Sequence, residues 1–329
     1  MRWLIRLIVL LSAIWAGYWF VGSRALEAAA RDWFAAAPSN GFEASYQDLT
    51  VLGFPNRFDL TVTQPRFTDR AQDIRYEAPF LQLFSLSYRP WHLIAAMPPE
   101  QRLTLPGDAL TLRAAKLQAS LVVEPSTALA LDRLVVIGDA LSLVSDSGLS
   151  LQAETVHFAT RQDPTRENAH ELGLEITALR PDPGLMRKAQ AADLPEVIEK
   201  LNARILVDFT APLDRTAAQT RPQIAALDIR DSRATWGDIS VSAEGTLQPD
   251  ALGFAEGQVT LRLTNWEKAL QAAADLGLVA PDSLASLRNA AQFLVQQSSE
   301  AGQLDLPLTF GAGQMRFGPF TIGPAPRLR

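Results

Sequence analysis

Three histidines, His92, His157 and His170, are the side chains of this sequence best suited to metal ligation or to proton transfer near neutral pH. None stands in an H-x-x-H or H-E-x-x-H arrangement, so no helix turn or hairpin sets two of them on one metal. His157 falls in an alternating stretch, Thr155-Val-His-Phe158, and reads as a sheet-surface side chain. The serine-rich run from Ser142 to Ser150 lacks a G-x-S-x-G nucleophile elbow and reads as a turn between strands. Gly311-Ala-Gly313 would need glycine at 316 to complete a dinucleotide-binding turn, and Arg316 stands there. Asp69, Asp73 and Glu77 do not have the spacing of a calcium loop. The chain has no cysteine, which excludes disulfides, thiolate metal ligands, thiol nucleophiles and a lipidated N-terminal cysteine together. The expectation is therefore no catalytic, cofactor-binding or metal-binding residue, no cofactor, and a protein that is not an enzyme. Carboxylates that meet only in space leave one route to catalysis open.

Charge narrows the partners. The chain carries 30 Lys plus Arg against 36 Asp plus Glu, and Arg2 and Arg6 precede an apolar segment, leaving 28 against 36, or −8, for the rest. Its basic residues are scattered singly, whereas a nucleic-acid surface needs them clustered to displace counterions, so no nucleic acid is expected as a partner. With 47% hydrophobic and 20% charged residues the composition is that of a folded, globular chain.

The elements that would position any site are mostly strands. Phe58, Leu60 and Val62 alternate with Arg57, Asp59 and Thr61, and the same period of two runs through Leu172, Leu174 and Ile176. It returns in Leu201 to Phe209, in Ile239 to Ala243, in Val259 to Leu263 and in Leu304 to Phe310. Between Leu110 and Val123 the apolar set changes phase, which predicts a bend in one long strand. Short Pro- and Gly-containing punctuation, such as Gly53-Phe-Pro55, Gln64-Pro65, Pro98-Pro99 and Pro106-Gly107, suits a meander of hairpins. Helices are few: a short one between Pro183 and Lys200 interrupted at Pro195, and two more that read as an αα-hairpin. The first of the pair would open on a capping box, Thr264-Asn-Trp-Glu267, and end near Gly277, and the second would run from Pro281 to about Ser299. The predicted fold is mainly β (α+β): a large, strongly curved antiparallel sheet with a C-terminal αα-hairpin packed on it, behind an N-terminal transmembrane helix. Some apolar strand surface is expected to be left over by so few helices, with Val207 and Val259 central on it.

The N-terminus supplies that transmembrane helix. After Arg2 and Arg6, no charge appears from Leu7 to Ser23, about 17 residues or roughly 25 Å of helix. Leu7, Ile8, Val9, Leu10, Leu11 and Ile14 form its apolar body. Trp15, Tyr18, Trp19, Phe20 and Val21 gather at the far end, where aromatic rings favour the membrane–water interface. A cleaved signal peptide shares the basic leader and the apolar run, but bulky aromatics and the lack of a clear A-x-A site favour a retained anchor. The expected organisation is residues 1–23 as membrane anchor or signal segment, 24–37 as a stalk helix stopped at Pro38-Ser-Asn-Gly41, and 38–329 as a β-rich domain with a weak sub-boundary near 181. Basic residues before the span predict a single pass in the inner membrane, with the N-terminus cytoplasmic and the main domain periplasmic.

Several short phrases carry a resemblance. They are Gly53-Phe-Pro55 followed by Asn-Arg-Phe-Asp-Leu60, then Ala78 to Pro90 with Tyr88 near its end, Thr235-Trp236-Gly237, Gly245, Leu263-Thr-Asn-Trp266, and the ending Phe317-Gly318 to Gly323 and Pro326. In this order they resemble an uncharacterised alphaproteobacterial family known as domain of unknown function 2125, over nearly the whole chain after the anchor. The resemblance implies a membrane-anchored envelope protein without an assigned activity, and gives no catalytic residue to carry over. Its glycines and prolines have a ready structural reading as turns and close backbone approaches. The partners that follow are the inner membrane together with either a lipid or another envelope protein. Two functions stand side by side: holding an apolar ligand such as lipid along the curved sheet, or scaffolding through protein contacts.

Overall fold

The computed structural model describes residues 1–277, 279, 281–295, 303–318 and 320–329. A single helix, α1 (Arg2–Ala36), takes in both the apolar run and the Ala-rich stretch after it, and at 35 residues it extends about 52 Å. A short 3-10 turn at Ala37–Asn40 and Gly41, in the left-handed region at φ 86°, end it. The chain then forms two compact units, residues 1–125 with 136–149 and residues 126–135 with 150–329. Pro181 lies inside the second, between a strand and a helix.

In the N-terminal unit the strands come in pairs: β1 (Glu43–Ser45) and β2 (Asp48–Leu52), β3 (Arg57–Thr63) and β4 (Arg66–Asp69), β5 (Ile74–Glu77) and β6 (Phe80–Leu86). β7 (Arg89–Ala96) and β8 (Glu100–Leu105), then β9 (Asp108–Arg113) and β10 (Lys116–Val123), continue the scheme, and β11 (Leu131–Ser145), which belongs to this unit from Val136 on, follows. Each pair is one long strand broken in the middle, and the two halves join different antiparallel ladders. β2, β3, β6, β7 and β10 pair in one order, and β1, β4, β5, β8, β9 and the end of β11 in the other. The breaks are stitched across by Gln64 N to Pro79 O (2.8 Å), Ala78 N to Pro65 O (3.3 Å) and Ala114 N to Pro99 O (2.9 Å). Proline has no N–H to give a ladder, so Pro65, Pro79, Pro98 and Pro99 sit where the strand leaves one ladder for the next. Gln64-Pro65 and Pro98-Pro99, expected as hairpin punctuation, are thus bends, while the hairpin turns fall at Gly53, Asp73, Ser87 and Gly107. The phase change expected after Leu110 is the break at Ala114–Ala115.

The core of this unit joins α1 to β2 and β3. Phe34, Leu49, Leu60 and Val62 are buried together, with Leu26, Ala30 and Tyr46 against them. Further up the helix Gly22 lets β3 approach: a Cβ there would lie 2.8 Å from the Phe58 ring.

The C-terminal unit is a meander in sequence order. β12 (Ser150–Gln162), β13 (Ala169–Leu179), β14 (Ile198–Phe209), β15 (Ile224–Trp236), β16 (Ile239–Pro249), β17 (Ala255–Thr264), β18 (Gln303–Gly311), β19 (Gln314–Phe317) and β20 (Phe320–Pro324) pair each with the next, all antiparallel. Helix α2 (Pro183–Ala191) precedes β14, a single turn α3 (Ala217–Thr220) follows it, and α4 (Trp266–Asp275) and α5 (Pro281–Val295) separate β17 from β18. α2 opens on Asp182, whose carboxylate accepts the amides of Gly184 and Leu185, and closes before Pro195. α4 corrects the capping-box expectation. Its N-cap is Asn265, in the left-handed region at φ 55° and without a side-chain cap. β17 runs straight into the helix, so Asn265 must make the corner, and its amide instead donates to Asp238 at 2.8 Å. Gly277, at φ 80°, ends that helix as expected. The second helix of the hairpin is described from Pro281 to Val295, and its expected continuation to Ser299 lies outside the described residues.

Candidate functional site: an apolar strip on the C-terminal sheet

Register turns the alternation of β12 to β18 into continuous rows. Phe158 lies opposite Leu174, Leu174 opposite Ala203, and Ala203 opposite Ser232. The next row runs Val156, Ile176, Leu201, Ala234, Val241, Leu263 and Leu304. The opposite face of the same strands carries ion pairs, with Leu206 buried on it at 1% exposure. There Glu175 binds Lys200 at 2.7 Å, Arg161 binds Glu171 at 2.6 Å, and Arg262 binds Asp305 at 2.9 Å. The hydrogen bond and charge of Lys200 hold the Glu175 carboxyl below its ordinary pKa, outweighing desolvation.

The apolar face is divided in its covering. Over β16 to β18 it is buried: Ile239, Leu263 and Leu304 pack with Ala189 of α2, Trp266, Ala269 and Ala272 of α4 and Ala291 of α5. A second cluster joins Leu247, Val259, Leu308, Phe310 and Phe317. Over β12 to β14 the rows belong to no buried cluster among the described residues. Phe158, Leu172, Ile176, Leu201 and Ile205 are half-buried there, and Leu174 is 37% exposed. Val207 and Val259, expected on surplus apolar surface, are packed in at 4% and 6% exposure. From Leu172 to Ala178 the open strip is about 20 Å long.

The two ends of the strip differ. One is closed by His170 and Val207, both buried. Burial pushes the His170 pKa down, with the charge of Asp132 opposing, and its Nδ1 lies 3.4 Å from Thr160 Oγ1. The other end leads through the Gln152–Arg180 bridge to a pocket of about 430 Å³ lined by Gln152, Arg180, Met186, Arg187 and Glu196. Glu196 accepts from Gln190 at 3.1 Å rather than pairing with either arginine.

The other chemistry-bearing residues are accounted for locally. His92 Nε2 is 2.9 Å from Ser120 Oγ, and His157 is exposed on the ionic face. Asp108 accepts from the hydroxyls of Ser145 and Ser147, which stabilises its carboxylate and lowers its pKa; this is a clasp across the turn after β11. Among the described residues no group of three His, Asp or Glu side chains could hold a metal ion.

The short phrases of the sequence all land on structural joints. Gly53 makes the β2–β3 turn at φ 103°. Pro55 O accepts the Trp15 indole, and Tyr88 and Pro90 lie exposed beside the β6–β7 turn. Trp236 donates to Pro195 O at 2.7 Å, and a Cβ on Gly237 would press on the same proline at 2.9 Å. At Gly245 a Cβ would stand 2.2 Å from Gln258 O, so only glycine lets β16 and β17 close. Gly318 has φ 54°, Gly323 pairs with Met315, and Pro326 O accepts from Ala255 N. A family described as "Uncharacterized protein conserved in bacteria (DUF2125)" matches residues 19–326. The chain belongs to that family. No curated protein and no solved structure matches it. The DUF2125 match begins inside α1, so the end of the helix that docks on the first unit is part of the family's common body.

α1 itself is the one candidate membrane-spanning helix among the described residues, by length and apolar composition, and lies where a single-pass anchor would be. Leu7, Ile8, Val9, Leu10, Leu11, Ile14, Phe20 and Val21 are exposed along it. Trp15, Tyr18 and Trp19 are different: each donates a hydrogen bond to a backbone carbonyl of the β unit, at 3.0, 2.7 and 2.7 Å. Sequence patterning marked these rings as interfacial and had no means of finding their partners, which lie 38 to 69 residues away.

Proposed function

We propose that this member of the DUF2125 family is an envelope protein, held in the inner membrane by α1 with its β units on the periplasmic side, whose C-terminal sheet holds an apolar ligand of the lipid class. It acts in this reading as a binding module and not as an enzyme. The observation that carries it is the half-open stretch of the apolar rows on β12 to β14, beside an equivalent stretch on β16 to β18 that helices bury. Bare apolar surface is costly in water at about 25 cal/mol per Å², so a contiguous strip calls for an occupant. Its length of about 20 Å compares with the roughly 15 Å of hydrocarbon in one leaflet. The guanidinium groups of Arg180 and Arg187 at its end suit an anionic head group. Arg2 and Arg6 before the span support the orientation.

The test uses the full chain in vesicles containing a phospholipid with a photoactivatable acyl chain. Adducts on Phe158, Leu174 or Leu201 are expected, and Ala203→Trp, which fills the strip, should remove them without lowering the melting temperature. Adducts confined to α1 would end the ligand reading.

A further inference from the structure

We propose that the two turns at the end of the N-terminal unit nearest α1, Gly53 to Arg57 and Ser87-Tyr88, are seated at the boundary between hydrocarbon and headgroups in the leaflet that α1 leaves. This inference rests on the reading of α1 as a membrane span and is independent of any ligand on the C-terminal sheet.

Depth comes first. Crossing about 30 Å of hydrocarbon takes about 20 helical residues. A span ending at Ile14 would offer only about 12 Å of uncharged helix beyond Arg6, so the apolar run must be used up to about Val21. Trp15 and Trp19 then lie about 9 Å and 3 Å short of the exit along the helix. Both are bonded to the turn: Trp15 Nε1 to Pro55 O and Trp19 Nε1 to Arg57 O. Tyr18 OH reaches Ser87 O in the same way. Trp19 also stacks on Phe58, with ring centroids 6.1 Å apart. The turns are therefore fixed at the depth of the last residues of the span.

Backbone satisfaction comes second. A turn entering an apolar layer must pair its own carbonyls, because no water will. Gly53 O accepts Arg57 N at 2.9 Å, and Asn56 O accepts both Ser87 N and Ser87 Oγ. The helix supplies the donors for Pro55, Arg57 and Ser87, as above. Pro55 has no N–H to satisfy.

Surface chemistry comes third. Leu52, Phe54 and Tyr88 point outward at 66%, 54% and 55% exposure, next to exposed Phe20 and Val21 of the helix. The cations at the rim are Arg57, bonded to Asp59 at 2.6 Å, and exposed Arg89, suited to lipid phosphates. Apolar side chains beside two arginines, one of them paired with Asp59, match the headgroup boundary, not the bilayer centre.

Because the chain has no cysteine, the seat can be read one position at a time. Full-length Leu52→Cys, Tyr88→Cys, Leu10→Cys and Gln72→Cys, each carrying an environment-sensitive fluorophore, would be reconstituted in phosphatidylcholine–phosphatidylglycerol vesicles. Gln72 lies in the β4–β5 turn, at the far end of the bent strands, and is exposed. Labels at 52 and 88 should shift to the blue and be quenched by shallow nitroxide lipids, label 10 by deep ones, and label 72 by neither. Water-like signals at 52 and 88 with deep quenching at 10 would overturn the seat alone. A water-like signal at 10 as well would overturn the span and the seat with it.

Discussion

One apolar row of the C-terminal sheet, Val156 to Leu304, runs unbroken from β12 to β18, yet the two halves of that face live in different surroundings. Over β16 to β18 it is roofed by α2, α4 and α5, and Leu263 and Trp266 are 8% and 6% exposed. Over β12 to β14 the same period of two leaves Leu174 at 37% exposed. The alternation that makes a strand amphipathic says only which face seeks cover. Whether cover comes from the chain or from outside depends on where the few helices land.

Truncation of a leucine should cost most on the roofed half. Leu263→Ala should cost about 2–5 kcal/mol, since it opens a cavity under helices that cannot collapse onto the strand. Leu174→Ala, the same chemistry on the open half, should cost under about 1 kcal/mol. Urea unfolding of both would read the contrast, and equal losses would mean that the open half is packed as tightly as the roofed one.

A smaller effect concerns the closed end of the strip. Burial holds the His170 pKa below its unfolded value of about 6.5, so the folded state favours neutral imidazole. Its contribution is fully present above about pH 6.5 and declines as pH falls from there towards the folded pKa, because the unfolded chain takes up the proton first. Stability measured between pH 7.5 and 5.5 should fall on acidification, and His170→Gln should flatten that slope. An unchanged slope would place the histidine in contact with water.

The smallest effect is expected on the ionic face. Glu175 and Lys200 are 44% and 48% exposed, and solvent screens such a pair. Glu175→Gln should leave the melting temperature where it was, in low and in high salt. A clear drop would show that the ladder of charges, and not the apolar rows, holds β13 to β14.

Within the N-terminal unit the prolines are instructive in the same way. Pro65 and Pro98-Pro99 were legible as interruptions of strand, because a missing N–H interrupts any ladder. That they bend one strand from ladder to ladder, while Gly53 and Gly107 reverse it, depends on pairings between residues far apart in sequence. The capping box at Thr264 failed for a related reason: β17 extends to Thr264 by pairing with Gln303, which obliges Asn265 to turn the corner.

The apolar helix at the N-terminus, the β class, the amphipathic phase of each long strand and the family are legible from the residues alone, since each rests on local period, composition or the order of short phrases. That Trp15, Tyr18 and Trp19 donate to carbonyls of the β unit, and that Val207 and Val259 are packed in while Leu174 is not, follows from how the folded elements meet. A local pattern fixes the direction in which a side chain points, and what stands opposite it is set by strand register and helix placement over tens of residues.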